Sequence, residues 1–332
     1  MSAGPRTDTA ADWRPGASLD TLRLRARMLA GIRAFFAARG VLEVETPVLS
    51  RAAVPDPAIE PLRSRYTGPG AADGQVLYLH TSPELAMKRL LAAGSGPVYQ
   101  LARVFRDAEA GPRHNPEFSL LEWYRPGFDH HALMDEVEAL VVTLLPGTAA
   151  ARRFSYRELF LELAGIDPFT AGVDELAACA HAAGLQPSPA LAAQARNGWL
   201  DLLLTHVIEP RLGVGLVFVY DYPADQAALA RVRSGEPPLA ERFELYLDGI
   251  ELANGFHELT DAAEQRARFE ADNARRLARG LAALPVDERF LAALEAGLPA
   301  CAGVALGFDR LVMAAAGLAD IDAALAFSLR RV

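Results

Sequence analysis

The chain has 332 residues, 51% of them hydrophobic and 23% charged, with 33 Lys and Arg against 42 Asp and Glu for a net charge of −9. That profile describes a globular protein with a substantial core, able to bury roughly 75% of the surface its unfolded chain exposes. Cys179 and Cys301 are the only cysteines, which excludes a disulfide framework or a cysteine-rich metal centre and fits a reducing, cytoplasmic setting.

The longest apolar runs, Leu202 to Ile208 and Val214 to Tyr220, fall well short of the roughly 18 residues that cross a bilayer, so no membrane span is expected. The start, Met1 to Asp8, has no apolar core behind a basic stretch and reads as part of a loose tail over residues 1–18 rather than a secretory signal. The acidic balance argues against broad nucleic-acid binding. Lys88 is the only lysine among the 33 basic residues, a bias that a GC-rich genome produces.

In chain order, Leu22, Met28, Leu29, Ile32, Phe35 and Phe36 recur at helical spacing ahead of Gly40 and predict a helix over Leu19 to Arg39. Val41 to Glu45 reads as a strand closed by Thr46-Pro47, with a loop holding Pro55, Pro57 and Pro61 behind it. Gln75 to Leu79 is a further strand, leading through Thr81-Ser82-Pro83-Glu84 into a helix over Leu85 to Ala93, with Ser82 suited to the N-cap and Pro83 to the first helical position. Strands over Pro97 to Phe105 and Phe118 to Arg125 flank the polar loop Arg106 to Glu117, long enough to suggest a working loop. Residues 146–238 are Ala-rich and predict a helical insertion without a chemical motif. Phe243 to Leu247, the Asp248-Gly249 turn and Ile250 to Asn254 form a hairpin. A charged helix (Ala262 to Arg279), a strand (Cys301 to Leu306) and a helix opened by Gly307 (Phe308 to Ala316) complete the chain. Hairpins outnumber βαβ units, so the expected class is α+β, a mainly antiparallel sheet flanked by helices.

Three groups place ionisable side chains on or beside strands: Ser82 with Glu84, Arg106 through Tyr124, and Glu251 with Glu258 near Gly307 and Arg310. Paired carboxylates such as Glu251 and Glu258 suit Mg²⁺, which prefers oxygen ligands shared with phosphates, though either alone is as readily a solvated strand end. Arg106 and Arg310 offer guanidinium forks for phosphate oxygens, and each alone is as easily a surface ion pair. Neither a P-loop nor a Gly-x-Gly-x-x-Gly cradle is present.

In their order, these groups resemble the class II aminoacyl-tRNA synthetases, and within them the lysyl branch. The first helix, strand and Pro47 resemble motif 1. Val104-Phe105-Arg106 through Phe118-Ser119-Leu120-Leu121-Glu122 resembles motif 2, and Gly303 to Arg310 resembles motif 3. Thr81-Ser82-Pro83-Glu84, Arg113 to Phe118 and Asn254 to Leu259 are similar to its lysine-type strings, and the likeness runs from about Leu19 onward. Gly40 to Pro47, Leu121 to Pro126 and Gly249 to Asp261 further resemble short members of the branch that join (R)-β-lysine to elongation factor P. About 18 residues precede the first helix, too few for the anticodon-binding barrel of a tRNA-charging member, so tRNA is not the expected partner. A tRNA-charging enzyme and a catalytically silent amino-acid sensor are the competing readings.

The resemblance implies a class II catalytic core over residues 19–332, a homodimer, ATP with Mg²⁺, and elongation factor P with (R)-β-lysine as substrates. Carried over by motif, Arg106 meets the α-phosphate and Arg310 the γ-phosphate as the catalytic pair. Glu109, Asn115, Glu251, Leu252 and Gly307 complete the ATP site. Ser82, Glu84, Glu122, Tyr124 and Glu258 hold the amino acid, and Glu251 and Glu258 hold the metal. Two positions depart from the pattern. Ala108 stands where motif 2 carries glutamate, so Glu109 is expected to substitute. Ala305 stands where motif 3 of lysyl-tRNA synthetases carries glycine, which narrows the space beside the amino acid. The scarcity of lysine also suits an enzyme holding a reactive acyl-adenylate.

Overall fold

The structure, a computed structural model, describes residues 13–71, 73–186 and 196–332. Helix α1 (Leu19–Ala37) is followed by strands β1 (Leu42–Glu43), β2 (Leu49–Ser50), β3 (Arg63–Tyr66) and β4 (Gln75–Leu79). Helix α2 (Glu84–Ala92), strands β5 (Val98–Phe105) and β6 (Glu117–Pro126), and helix α3 (His130–Leu144) come next. Then come β7 (Arg152–Ser155), α4 (Tyr156–Leu159), α5 (Val173–Ala182), α6 (Arg196–Leu203), β8 (Leu216–Pro223), β9 (Val232–Arg233), β10 (Leu239–Leu247) and β11 (Ile250–His257). Helices α7 (Ala262–Ala278) and α8 (Glu288–Gly297), strand β12 (Cys301–Gly307) and helix α9 (Phe308–Ala316) close the order.

The main sheet runs β1-β5-β6-β12-β11-β10-β8-β7, with β9 on β10, and a small sheet runs β2-β4-β3. All its pairs are antiparallel except β1 with β5 and β7 with β8. The expected α+β class is therefore met. One face packs Leu121, Trp123, Val304, Leu306 and Phe243 against Phe36 of α1, Leu133 and Val137 of α3, and Leu311 of α9, all under 2% exposed or nearly so. Because side chains alternate along a strand, the other face carries Gln100, Glu122, Ala305, Asn254 and Glu244 in one register row across β5, β6, β12, β11 and β10. Polar residues lined up on the inner strands of a sheet are the first structural sign of a site.

Several boundaries move. Ser18 caps α1 by accepting the Thr21 N–H at 3.1 Å. Ahead of α2, Pro83 itself takes the N-cap position, and Ser82 Oγ accepts the Glu84 N–H at 3.0 Å, leaving its own O–H to donate elsewhere. The tail expected over residues 1–18 does not extend to Gly16 and Ala17. Their N–H groups donate to Ala326 and Leu325 carbonyls at 2.9 and 3.0 Å, and Ala17 is buried. Residues 1–12 lie outside the described part.

The expectation of a purely helical stretch over 146–238 is also corrected. It holds α4, α5 and α6, but also β7 and β8, which extend the main sheet, and β9. Alternation in Leu216 to Tyr222 is masked because both faces are covered: Phe218 joins the core under α3, while Val217, Val219 and Tyr222 pack under Tyr156, Leu176 and Trp199. A strand buried on both sides reads as a continuous apolar run.

Candidate active site

The β10–β11 hairpin sets the geometry. Leu245 pairs with Ala253 but Tyr246 pairs with Glu251, so Leu252 is an extra residue, a β-bulge. The added residue reverses the alternation and brings Glu251 to the same face as Asn254, from which ordinary strand geometry would separate it.

A cavity of about 310 Å³ opens on that face. All seven residues expected at the nucleotide, Arg106, Glu109, Asn115, Glu251, Leu252, Gly307 and Arg310, line it. Arg310 Nη1 donates to the Glu251 carbonyl at 2.8 Å and approaches its carboxylate at 3.4 Å. Its Nη2 donates to His114 Nε2 at 2.7 Å. Burial and the Arg310 charge hold His114 below the usual imidazole range, as an imidazole accepting that bond must be. Arg106 lies over the Phe118 ring at 5.1 Å from its centroid. With Arg106 and Arg310 both lining it, the cavity is a cationic cleft suited to a polyphosphate.

At the departure in motif 2 the backbone makes a tight turn. Ala108 adopts φ +62°, stabilised by the Asp107 carboxylate accepting its N–H at 2.8 Å, and this left-handed turn folds Glu109 back to 3.6 Å from Arg106 Nη1. Asn115 contributes differently from a ligand-binding group. Its amide donates to the Glu117 carbonyl at 2.6 Å and accepts the Leu329 N–H at 3.0 Å, so it braces the cavity wall.

A buried cluster of polar side chains, which we call the second pocket, lies beside this cavity along β6 and β12, where Glu122 pairs with the cavity-lining Ala305. Glu122, 2% exposed, accepts Ser82 Oγ–H at 2.7 Å and Tyr124 O–H at 2.6 Å. Burial and then the Glu84 charge push its carboxyl up to about 7. Glu258, also 2% exposed, is pushed up to about 8 by burial, with Lys88 pulling it down and Glu84 pushing it up. Gly303 faces this pair: a Cβ there would overlap Tyr124 and Glu258 Oε1, so only glycine leaves room. All five residues expected around the amino acid therefore meet in one place.

Lys88, which sequence reasoning did not assign, is the centre of that pocket. Its Nζ lies 2.5 Å from Glu84 and 2.6 Å from Glu258, and its side chain is wholly buried. Burial opposes its charge, but Glu258 and Glu84 outweigh it and hold the ammonium above the usual lysine range. The only available sequence signal was the i,i+4 spacing of Glu84 and Lys88 on α2. Glu258 Oε2 takes this contact with Lys88, while its other oxygen, Oε1, faces Gly303.

Among the expected metal ligands, Glu251 suits a hard cation: it lines the cavity, and its carboxyl is raised by burial and by neighbouring Glu244, a repulsion that a cation relieves. Glu258, the other expected ligand, has its carboxylate beside Lys88 instead. Two supports also went unread in sequence. Asp309, 1% exposed, accepts the Ser119 N–H at 2.7 Å and pairs with Arg25, tying α9 and β6 to α1. Arg276, wholly buried, pairs with Glu60, whose carbonyl accepts the Asp107 N–H at 2.7 Å, so the proline-rich loop anchors the loop that carries Glu109.

Known sequences match nearly the whole chain. The profile of tRNA synthetases class II (D, K and N) matches residues 6–331. The elongation factor P–(R)-β-lysine ligase of Vibrio cholerae is 52% identical over 324 residues, 97% of this chain and 99% of the relative. Ligases of the same name from Proteus mirabilis and Yersinia enterocolitica are each 51% identical over 322 residues, 97% of this chain and 98% of theirs. On the match of nearly the whole chain, the protein belongs to the class II tRNA synthetases of the D, K and N group.

Proposed function

We propose that the protein activates (R)-β-lysine with ATP and transfers the acyl group to a lysine ε-amine of elongation factor P. The observation that carries this reading is the pairing of an arginine-lined cavity with a pocket holding three carboxylates, next to each other on one sheet face. Identity of about 50% to ligases of that name over almost the full length of both chains supports the substrate and the acceptor.

The substrate carboxylate is already an anion, so its attack on the α-phosphorus needs alignment and charge neutralisation rather than a strong base. Arg106 takes the α-phosphate and Arg310 the γ-phosphate as the bond to the β-phosphate breaks and pyrophosphate leaves. Glu109 and the walls at Asn115, Leu252 and Gly307 hold the nucleotide. Glu251 would hold Mg²⁺, which would supply further charge neutralisation. The amine of the acceptor protein then attacks the acyl carbon, AMP departs and the amine loses a proton.

Three carboxylates and the Lys88 ammonium give the pocket a charge of −2 when ionised, matching a substrate with two ammonium groups. Glu258 and Glu84 receive one and Glu122, with Ser82 and Tyr124, the other. Ala305 stands across from Glu122 in the register, where its methyl group limits how the backbone amine can sit. We place the reaction in the cytoplasm, on one catalytic unit that dimerises through the edge carrying β1. Exposed Leu42, Val48 and Leu49 on and after that edge support the dimer.

Pyrophosphate exchange with α-lysine and (R)-β-lysine, followed by mass spectrometry of elongation factor P, tests the whole reading. Exchange favouring β-lysine and a mass gain of one lysyl group are expected. Exchange confined to α-lysine with charging of tRNA would overturn it.

A further inference from the structure

On the α3 side of the sheet, away from both pockets, three ligating side chains converge that the proposed reaction does not use. His130 opens α3, Glu241 lies on β10 and His257 ends β11, and one ligand atom from each lies within 4.8 Å of the other two. His257 alternates with Phe256 and Glu258 along the strand, which directs it to the opposite face from the amino-acid pocket. The residues are far apart in sequence and show no metal-ligand spacing, so only the folded chain brings them together.

An independent observation marks the place as incomplete. His130 is 2% exposed, and its Nδ1 is buried without a hydrogen-bond partner. Its Nε2 faces Asp221 Oδ1 at 3.4 Å. Folded proteins rarely strand a group such as that Nδ1, since it loses its hydration with nothing in return. Glu241 accepts one hydrogen bond, from His257 Nδ1 at 2.6 Å. Arg233 and Arg231 approach its oxygens only to 3.6 and 3.8 Å, leaving lone pairs free. Arg233 donates instead to Asp221 Oδ2 at 2.9 Å and fixes that carboxylate beside His130.

We propose that His130, Glu241 and His257 bind one divalent transition-metal ion of the zinc class, with Asp221 as the outer carboxylate that orients His130. Two imidazoles and a carboxylate suit Zn²⁺, whereas Mg²⁺ and Ca²⁺ take oxygen donors. A carboxylate behind a ligating imidazole is the usual outer support. The ion takes the place of the proton shared by His257 Nδ1 and Glu241 Oε2, and the imidazole keeps its proton on Nε2. Coordination pins the start of α3 to the ends of β10 and β11, directly behind Glu258, so the role is structural and bears on the rigidity of the amino-acid pocket.

The test uses the full chain, stripped with a chelator and dialysed against micromolar Zn²⁺ with excess Mg²⁺. Elemental analysis is expected to find one zinc per chain, and the melting temperature to rise by a few degrees. His130→Leu and His257→Asn are each expected to weaken zinc binding at least tenfold and abolish the rise, while Glu251→Gln keeps both. Should the histidine variants fail to fold, the visible spectrum of the Co²⁺-substituted wild type reads nitrogen coordination directly. Zinc at background level, zinc retained in both histidine variants, zinc lost in Glu251→Gln, or a Co²⁺ spectrum of all-oxygen coordination would each overturn the proposal.

Discussion

Lys88→Met removes the one cation among Glu84, Glu122 and Glu258 while keeping the length of the side chain. Lys88 and Glu258 are at most 1% exposed at their side chains, so solvent does not screen the pair. Removing one partner of such a pair costs about 3–5 kcal/mol, because the charge left behind is buried and uncompensated. For a chain of this size that corresponds to a fall of roughly 4–7 °C in melting temperature. The stranded carboxylates respond by taking up protons, so Glu258, already near 8, rises further. The acid limb of kcat/KM for the lysine substrate then moves to higher pH, by about one unit or more. Differential scanning fluorimetry and a pyrophosphate-exchange pH profile read the two effects separately. A melting temperature within 2 °C of wild type together with an unmoved acid limb would refute the role given to Lys88.

Four further outcomes are expected. In the wild type, Glu122 near 7 and Glu258 near 8 are raised carboxyls, so the free folded protein holds their protons until pH passes those values. A dication binds the ionised form, so affinity for the lysine substrate should climb from pH 6 to 8.5, and isothermal titration showing a flat profile would contradict the pocket. The same protons mean that these two groups lower the stability of the ligand-free protein as pH rises from the ordinary carboxylate value of 4.5 to about 8, where the loss is complete. Arg106→Ala and Arg310→Ala should each slow exchange by about 10²–10³-fold, the scale of losing one charge-stabilising donor, and a loss under tenfold in either would remove it from the phosphate site. Gly303→Ala should leave the fold intact at a cost of about 1–3 kcal/mol for overpacking but raise KM for lysine far more than KM for ATP. Glu109→Ala should raise KM for ATP, and an unchanged value would show that the turn at Ala108 does not rebuild the missing motif 2 contact.

Legibility in the sequence divided along physical lines. The hairpin at Asp248-Gly249, the strands bracketing Arg106 to Glu117 and the helix after Gly307 were readable because their signals are local: turn residues, alternation and a start residue within a few positions. Strand β8 was missed since both its faces are covered, which erases alternation, and α3 was passed over in a stretch read for motifs rather than periodicity. The site residues of both pockets could be named because they sit inside short motif strings. Lys88 and Asp309 lay inside or beside those strings too, yet nothing local showed that one would be buried among carboxylates and the other would hold α1 to β6.

Sequence alone therefore determined the class and the family and named two sets of side chains that the fold brings together, because motif order and residue type are written in the chain itself. It also singled out Lys88 as the only lysine, a compositional oddity with a genomic explanation. Tertiary structure decided where that lysine sits, which carboxylates surround it, and how a bulge at Leu252 turns Glu251 toward the cavity lined by Arg106 and Arg310. The physical reason is that burial, charge pairing and strand parity after a bulge depend on which distant segments pack together. Glu251 and Glu258, seven residues apart and alike as letters, acquire different surroundings only when β10, β12 and α2 close around them.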